Sequence, residues 1–171
     1  MNIITTEEQA VSLAVSIGNS AFIEEKKPWI SEFISGLPYE IQKAILAINP
    51  YQIQFIDNPS TELQLIAIRK HVNCFEKFFH LKNIEPEVIC EAISLSLDQF
   101  NIRSSVIIEK THNEGIPDFI HHLLFRAKYD DSVQELLIKT EKWGKIPPNI
   151  WSNNIRKKYK YMFSMRAANI L

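Results

Sequence analysis

Five histidines and several carboxylates are the side chains in this 171-residue chain that could hold a metal ion. His112, Glu114, Asp118 and His122 could converge on one ion if the segment between them folded back. A zinc site on a helix, however, uses histidines at positions i and i+4, and this chain has no such pair. His121 and His122 are adjacent, so they point to different faces of a helix. We therefore expect no metal site and interpret these residues as loop side chains and helix caps.

The side chains that could serve in covalent or acid–base catalysis do not have the spacing of a catalytic motif. The sequence has no glycine-rich phosphate loop and no G-x-S-x-G turn. Cys74 and Cys90 lie 16 residues apart inside apolar runs, which is typical of small buried side chains in a reducing compartment. Adjacent carboxylates such as Asp130 and Asp131 are common at helix ends, where they balance the helix dipole. The sequence therefore predicts a protein without catalytic residues or cofactors.

A basic segment near the C-terminus, IRKKYKYMFSMR, combines cations with aromatic rings. Arg156, Lys157, Lys158 and Lys160 could bind a phosphate backbone while the interleaved tyrosines stack on bases. The same pattern is typical of a basic helix on an anionic membrane, or of an ordinary end helix that docks on the core. A pI near 6.5 argues against nucleic acid, because an acidic body would repel a duplex. Nucleic-acid binding by these four residues is therefore an alternative function.

Charge is distributed unevenly along the chain. Residues 1–100 hold 13 acids and 7 bases, whereas residues 101–171 hold 7 acids and 12 bases. An acidic surface attracts a basic protein through long-range steering, although scattered glutamates are also typical of an ordinary solvated surface. The candidate partner-binding residues are Glu24, Glu25, Glu32, Glu40 and Glu62.

Two segments of the chain are variants of one pattern, and they set the elements that must position these side chains. Residues 40–56 and 62–78 align at a constant offset of 22 residues, and a weaker third copy begins at Glu87 at an offset of 25. The matched pairs include Glu40 with Glu62, Gln42 with Gln64, Leu46 with Ile68 and Ile53 with Phe75. A repeat of this length is typical of stacked helical arrays, in which each unit buries its apolar stripe against its neighbours.

Asparagine–proline pairs predict the helix boundaries inside the repeat. Asparagine caps a helix and proline fits its first turn, so Asn49-Pro50 and Asn58-Pro59 should each end one helix and start the next. The predicted helices of the repeat are 39–48, 50–57, 60–70 and 73–79.

The remaining chain also favours helices. Segment 104–111 is short and β-branched, and we interpret it as helical because no second strand is evident to pair with it. Gly144 is expected to end the helix that starts at Asp130, and a last helix should run from about Asn153 to Ala168. The predicted fold is all-α: one helical-repeat domain at 1–143, with its repeat core at about 39–100. A proline-containing linker and a basic amphipathic C-terminal helix follow at 144–171.

The repeat resembles short helical-pair repeats of the HEAT and armadillo type that occur in bacterial and phage proteins. Their pattern alternates N-P-x-x-I-x-x-I with E-x-Q-L-x-A-[IV], and the match covers about residues 39–80. It departs from the pattern at His71-Val72, where a second Asn-Pro is expected. The resemblance implies a short solenoid and carries over no catalytic residues. The matching residues are Asn49, Pro50, Ile53, Ile56, Asn58, Pro59, Glu62, Gln64, Leu65, Ala67 and Ile68.

These observations predict a non-enzymatic protein-binding module. A small protein with an acidic body and no catalytic motif fits an inhibitor or immunity protein that masks a basic partner, such as a toxin nuclease or a defence-system effector. The segment MNIITTEEQAV lacks the basic stretch of a signal peptide, and no apolar run reaches 18 residues. We therefore expect a cytoplasmic protein that binds no membrane. Nucleic-acid binding is the alternative, and an enzyme whose site is assembled from scattered residues is a third hypothesis.

Overall fold

The regular structure of the chain is helical. The computed structural model describes residues 8–9, 11–12, 15–16, 28–78, 81, 84–100, 117–140, 143–146 and 148–168. From residue 28 onward these residues contain eight α-helices and four 3₁₀ helices, and none of the described residues lies in a strand, which confirms the all-α prediction. Their contacts group into two compact units, Met1–Ile84 and Glu85–Leu171. The predicted domain boundary between residues 143 and 144 falls inside the second unit, and the predicted repeat core spans both units.

The first unit alternates α-helices with 3₁₀ helices. Residues 8–9, 11–12 and 15–16 are helical. The elements that follow are α1 (Pro28–Ser35), α2 (Tyr39–Ile48), a first 3₁₀ helix (Pro50–Phe55), α3 (Thr61–Lys70) and a second 3₁₀ helix (Val72–Phe78). α2 packs against α3, and each 3₁₀ helix packs against the α-helix that precedes it and against the other 3₁₀ helix. All four predicted helices of the repeat are therefore present, with ends that differ by at most two residues.

A spacing of three residues explains why the second helix of each pair is a 3₁₀ helix. A 3₁₀ helix has three residues per turn, so residues at i, i+3 and i+6 lie on one face. Val72, Phe75 and Phe78 have this spacing and are all buried. Pro50 and Ile53 repeat it in the first 3₁₀ helix, where they too are buried. In each 3₁₀ helix, apolar residues three positions apart are therefore buried on the same face.

One predicted boundary residue has a different role. Asn49 caps the first 3₁₀ helix as expected, because its side-chain oxygen accepts a hydrogen bond from the N–H of Tyr51 at 3.1 Å. Asn58 instead has a φ of 51°, in the left-handed region that asparagine tolerates better than most residues. Ser60 caps α3 by accepting a hydrogen bond from the N–H of Leu63. The prediction that the second Asn-Pro pair starts the next helix is therefore wrong, because Asn58 forms a turn ahead of the true cap.

A buried glutamine occupies the fourth position of both α2 and α3. The two side-chain N–H groups of Gln42 are shared among three carbonyl oxygens at and just after the end of α1, at 3.0–3.2 Å. Carbonyl groups at a helix end have no partner within the helix, so an outside donor stabilises them. The amide of Gln64 donates to the carbonyl of Pro59 at 2.8 Å. The sequence match between Gln42 and Gln64 thus reflects a shared role, in which each amide joins a helix start to the preceding segment.

The second unit contains five α-helices in its described part. They are α4 (Pro86–Gln99), α5 (Asp118–Lys128), α6 (Asp131–Ile138), α7 (Asn153–Lys158) and α8 (Lys160–Ala167). Short 3₁₀ helices at Trp143–Lys145 and Pro148–Ile150 join α6 to α7. α4 packs against α5 and α6, and α7 packs against α6. The segment 104–111, which the sequence predicts as helical, lies outside the described residues.

The fourth position of α6 is again a buried glutamine. The side-chain amide of Gln134 donates to the carbonyl oxygens of Ala127 and Lys128, at 2.8 and 3.0 Å. Its side-chain oxygen accepts a hydrogen bond from the backbone N–H of Ser152 at 2.7 Å, at the start of α7. One side chain therefore joins the end of α5 to the start of α7, in a part of the chain where the sequence repeat has faded.

The end of α6 differs from the prediction. Asp130 caps the helix as expected, but α6 ends at Ile138 and not near Gly144. The side-chain hydroxyl and the backbone N–H of Thr140 both donate to the carbonyl of Leu137, at 2.7 and 3.0 Å. These local hydrogen bonds compete with the i to i−4 bonds of an α-helix, so the helix ends before Gly144.

The predicted last helix is interrupted at Tyr159, which separates α7 from α8. The ring of Phe163 on α8 lies between the rings of Trp143 and Trp151, with centroid distances of 5.8 and 5.6 Å. Edge-to-face contacts of this kind are favourable beyond their buried area. The packing of Phe163 agrees with an end helix that docks on the core, whereas the break at Tyr159 was not predicted.

Replacing Gln134 with leucine is expected to lower the free energy of unfolding by about 2–3 kcal/mol, because buried backbone groups lose their partners. Gln64→Leu should cost only about 1 kcal/mol, since a single hydrogen bond is lost. Urea denaturation followed by circular dichroism measures both changes. Gln99→Leu at an exposed position is the control and should alter stability by less than about 0.5 kcal/mol. A Gln134→Leu protein as stable as this control would contradict the role of the amide.

Candidate functional site

An acidic groove lies between the N-terminal ends of α4 and α6. Its volume is about 370 Å³, and four of its eight lining residues are acids while one is a base. Acids at a helix N-terminus stabilise the helix, but two helix ends supply only about one positive charge together, so the groove remains negative. The lining residues are Glu85, Pro86, Glu87, Asp131, Ser132, Glu135, Leu136 and Lys139.

Neighbouring side chains hold two of the four carboxylates in the acidic groove. The Glu135 carboxylate lies 2.6 Å from the ammonium of Lys158, and this contact raises the pKa of Lys158. Asp131 accepts hydrogen bonds from the hydroxyl of Ser152 at 2.7 Å and from the amide of Asn154 at 3.1 Å. These two bonds lower the pKa of Asp131, so its carboxylate stays ionised at neutral pH.

Glu85 and Glu87 form the open side of the acidic groove. Both are exposed, and neither carboxylate has a hydrogen bond or ion pair with the side chain of another described residue. A cationic side chain that entered the groove would meet these two carboxylates. The contact between Lys158 and Glu135 demonstrates that a groove carboxylate accepts an ammonium group at close range. The arrangement therefore suits a lysine or arginine side chain better than an anion or an apolar group.

The acids that the sequence predicts as partner-binding lie in the first unit. Glu24 and Glu25 are outside the described residues. Glu32 on α1 and Glu40 on α2 are exposed, as a binding surface requires. They remain candidates for partner binding. The acidic groove adds a second set of acids, which the sequence did not identify.

Glu62 is exposed on α3, but it already has partners. A hydrogen bond from the hydroxyl of Tyr39 is the main cause of its lowered pKa, and Lys43 lowers it further. The Lys43 ammonium lies 3.5 Å from the Glu62 carboxylate. Because its charge is partly balanced within the unit, Glu62 attracts an external cation less strongly than an isolated glutamate would.

Two of the four cations predicted to bind nucleic acid have partners inside the second unit. Arg156 donates to the carbonyl of Trp151 at 3.1 Å and to the carbonyl of Pro148. Lys158 pairs with Glu135 in the acidic groove. These contacts fix α7 to its surroundings, so both cations stabilise the fold.

Lys157 and Lys160 are the exposed members of the same set. Neither ammonium group has a hydrogen bond or ion pair with another described residue. Tyr161 beside them is 76% exposed, so its ring is accessible for stacking. The nucleic-acid hypothesis therefore rests on two lysines and one tyrosine.

Counting charges by structural unit removes most of the asymmetry seen along the sequence. Residues 1–84 hold nine acids and seven bases, and residues 85–171 hold eleven acids and twelve bases. The acidic α4 and the basic C-terminal helices share one unit, where Lys145 lies 3.7 Å from Asp98. Charge that is separated along the sequence is therefore largely balanced within the second unit.

Among the described residues, no group of three or more histidine, cysteine or acidic side chains is placed to hold a metal ion. His112 and Glu114, two of the four candidate ligands, lie outside these residues. Asp118 and His122 lie one turn apart on α5.

Cys74 and Cys90 are buried and form no disulfide, in agreement with the prediction. Burial raises the pKa of the Cys74 thiol to about 12. Burial and the nearby charge of Glu91 raise the pKa of Cys90 to about 11. Since the thiolate is the nucleophile, neither cysteine is activated for chemistry near neutral pH.

Sequence reasoning missed two exposed aromatic residues, one on α5 and one at its C-cap. Phe125 and Tyr129 are 63% and 70% exposed, and their ring centroids are 5.0 Å apart. They lie off the apolar stripe of the helix, which is buried as predicted. Because the sequence places them outside this apolar set, their exposure could have been predicted. The stripe consists of Ile120, Leu123, Leu124 and Ala127.

Comparison with known proteins adds no assignment. No protein-family model matches this chain, and no curated protein or solved structure matches it. Within the described ranges, none of the helices has the length and apolar character needed to cross a bilayer.

Replacing Ser152 with alanine is expected to raise the pKa of Asp131 towards its ordinary value, because the strongest hydrogen bond to that carboxylate is lost. Carboxyl NMR titration measures the shift. In the native protein the lowered pKa stabilises the fold above the unfolded-state pKa, and this contribution disappears as the pH falls through the folded-state pKa. The variant should therefore lose less stability on acidification.

The variant should also lose about 1 kcal/mol at neutral pH, because Ser152 caps α7. Ser60→Ala is the matched control, since Ser60 caps α3 in the same way. It should reproduce the loss of the cap and leave the Asp131 titration unchanged. An unaltered Asp131 pKa in Ser152→Ala would disprove the assigned cause.

Proposed function

We propose that this protein is a non-enzymatic binding module that holds a basic segment of a partner protein in the acidic groove. The observation that carries the proposal is the open pair of carboxylates, Glu85 and Glu87, opposite the anchored carboxylates of Asp131 and Glu135. A lysine or arginine of the partner would enter between them. Because Glu135 is already paired with Lys158, an incoming cation gains most from the two open glutamates.

The helical architecture supports a binding role for the chain as a whole. Two copies of an α-helix followed by a 3₁₀ helix recur at an offset of 22 residues, each with a buried glutamine at the fourth position. We infer a short solenoid of the HEAT type from this repetition. Arrays of this kind present extended surfaces to other macromolecules.

The most specific form of the proposal is an inhibitor or immunity protein that masks a basic partner, such as a nuclease toxin or a defence effector. Masking requires shape and charge complementarity but no chemistry by the inhibitor itself. The inactive buried thiols and the acidic groove are consistent with that role. The acids Glu32 and Glu40 of the first unit would add to long-range steering of the partner.

Nucleic-acid binding is the second candidate, and one observation favours it. Lys157, Lys160 and Tyr161 are all exposed on the C-terminal helices. They could contact a phosphate backbone and stack on a base, although the pairing of Arg156 and Lys158 within the fold reduces the available charge. This candidate requires affinity that falls steeply with salt.

Neutralising the open side of the acidic groove should weaken capture of the partner. The experiment uses the tagged full chain to retain proteins from a lysate of its own source, with and without nuclease, read by quantitative mass spectrometry. The double variant Glu85→Gln with Glu87→Gln should lower affinity for a stoichiometric basic partner roughly tenfold, because two favourable charge contacts are lost. Purified partner and chain then give the dissociation constant by calorimetry.

The matched control is Glu32→Gln with Glu40→Gln, which removes the same charge from exposed positions of the first unit. It should slow association and leave the dissociation rate nearly unchanged. Retention of the same partner by both double variants would contradict the groove assignment. Loss of all captured material after nuclease treatment, or after Lys157→Gln with Lys160→Gln, would instead favour nucleic acid.

A further inference from the structure

The face of α5 opposite the core carries an exposed stripe that the proposed function does not use. Asp118, His122, Phe125 and Tyr129 are spaced by four, three and four residues, which places them in one line along the helix. All four are exposed, whereas the opposite side of α5 is buried. We call these four positions the α5 stripe, and none of them lines the acidic groove.

The centre and the C-terminal end of the α5 stripe are aromatic. The rings of Phe125 and Tyr129 are in contact, with centroids 5.0 Å apart and planes tilted by 60°. The ammonium of Lys128 lies 5.6 Å from the centroid of the Tyr129 ring, which places a positive charge at this end. Exposed, adjacent aromatic rings are the kind of surface that anchors protein interfaces.

Charge along α5 is self-complementary when the helix meets a copy of itself in the antiparallel direction. Asp118 marks the N-terminal end and Lys128 the C-terminal end. In an antiparallel pair, each Asp118 lies beside the partner copy's C-terminal end, and the two helix dipoles also oppose each other favourably. In a parallel pair, the two Asp118 side chains would lie side by side, and so would the two Lys128 side chains. The charges of Asp118 on the stripe and Lys128 beside it therefore favour antiparallel pairing over parallel pairing.

We propose that two copies of this chain associate through the α5 stripe, with the helices antiparallel about a two-fold axis between positions 123 and 124. This axis pairs position 118 with position 129 of the second copy and position 122 with position 125. The Phe125 rings then pack at the centre, and the Asp118 carboxylates meet the Lys128 ammonium groups at both ends. Such an isologous contact is the common way for one surface patch to form a closed dimer.

The dimer should be weak and concentration-dependent. The stripe extends only roughly 16 Å along the helix. A single helix face of that length buries less area than the ~1,600 Å² of a typical stable complex. The association is therefore expected at high micromolar concentration, and it does not require a partner in the acidic groove.

Sedimentation velocity on the full chain, from about 5 μM to about 500 μM, tests the proposal. The wild type should shift from monomer towards dimer across this range. Phe125→Ser with Tyr129→Ser should remain monomeric, because the anchoring rings are gone. Tyr161→Ser, which removes an exposed ring elsewhere in the same unit, is the control and should dimerise like the wild type. A wild type that stays monomeric throughout would overturn the proposal, and so would an undiminished dimer in the double variant.

Charge reversal tests the antiparallel orientation and guards against misfolded variants. Asp118→Lys and Lys128→Asp should each lose the dimer, since each places like charges together at both ends. The double variant Asp118→Lys with Lys128→Asp should recover it, because the swapped charges again meet their opposites. Recovery also demonstrates that the altered helix still folds. Dimers that persist in both single variants, or that fail to return in the double variant, would rule out this pairing. The pairing would also be ruled out if the α5 stripe bound an unrelated protein and never a second copy of this chain.

Discussion

The fold depends on glutamine side chains that are buried at the fourth position of a helix. Short helices leave a large share of their backbone groups without internal partners, so a chain built from α-helices of 6–14 residues needs donors from outside. The amides of Gln42 and Gln134 supply them to the ends of α1 and α5. Gln64 does the same for the turn before α3. A neutral amide can be buried with these bonds at far lower cost than a charged donor.

The acidic groove follows from one of these amides. The oxygen of Gln134 holds the N–H of Ser152, and the hydroxyl of Ser152 donates to Asp131 in the groove. The start of α7 is thereby fixed beside α6, and α7 in turn places Lys158 on Glu135. A polar contact in the core thus determines which carboxylates of the groove are anchored and which remain open.

Local sequence signals predicted most helices, whereas the acidic groove and its ion pair depend on long-range contacts that the sequence did not reveal. The repeat at Gln42 and Gln64 and the cap at Asp130 located helix starts to within a residue or two, because capping acts over three or four residues. The prediction that Asn58 caps a helix failed because asparagine is common both at helix starts and in left-handed turns. At this position it adopts the left-handed turn. The groove and the pairing of Lys158 join residues more than 20 positions apart, and no local pattern encodes that distance. The exposure of Phe125 was missed, although its place off the apolar face of α5 would have predicted it.

The fourth-position glutamine also constrains how the chain length can change over evolution. Each residue added to an α-helix rotates everything beyond it by about 100°, so one insertion between a helix start and its glutamine would turn the amide away from its carbonyls. Insertions in the connections between repeats carry no such penalty, and the offset already grows from 22 to 25 residues before α4. Relatives of this chain should therefore differ in length between helices while the first turns of α2, α3 and α6 keep a fixed number of residues.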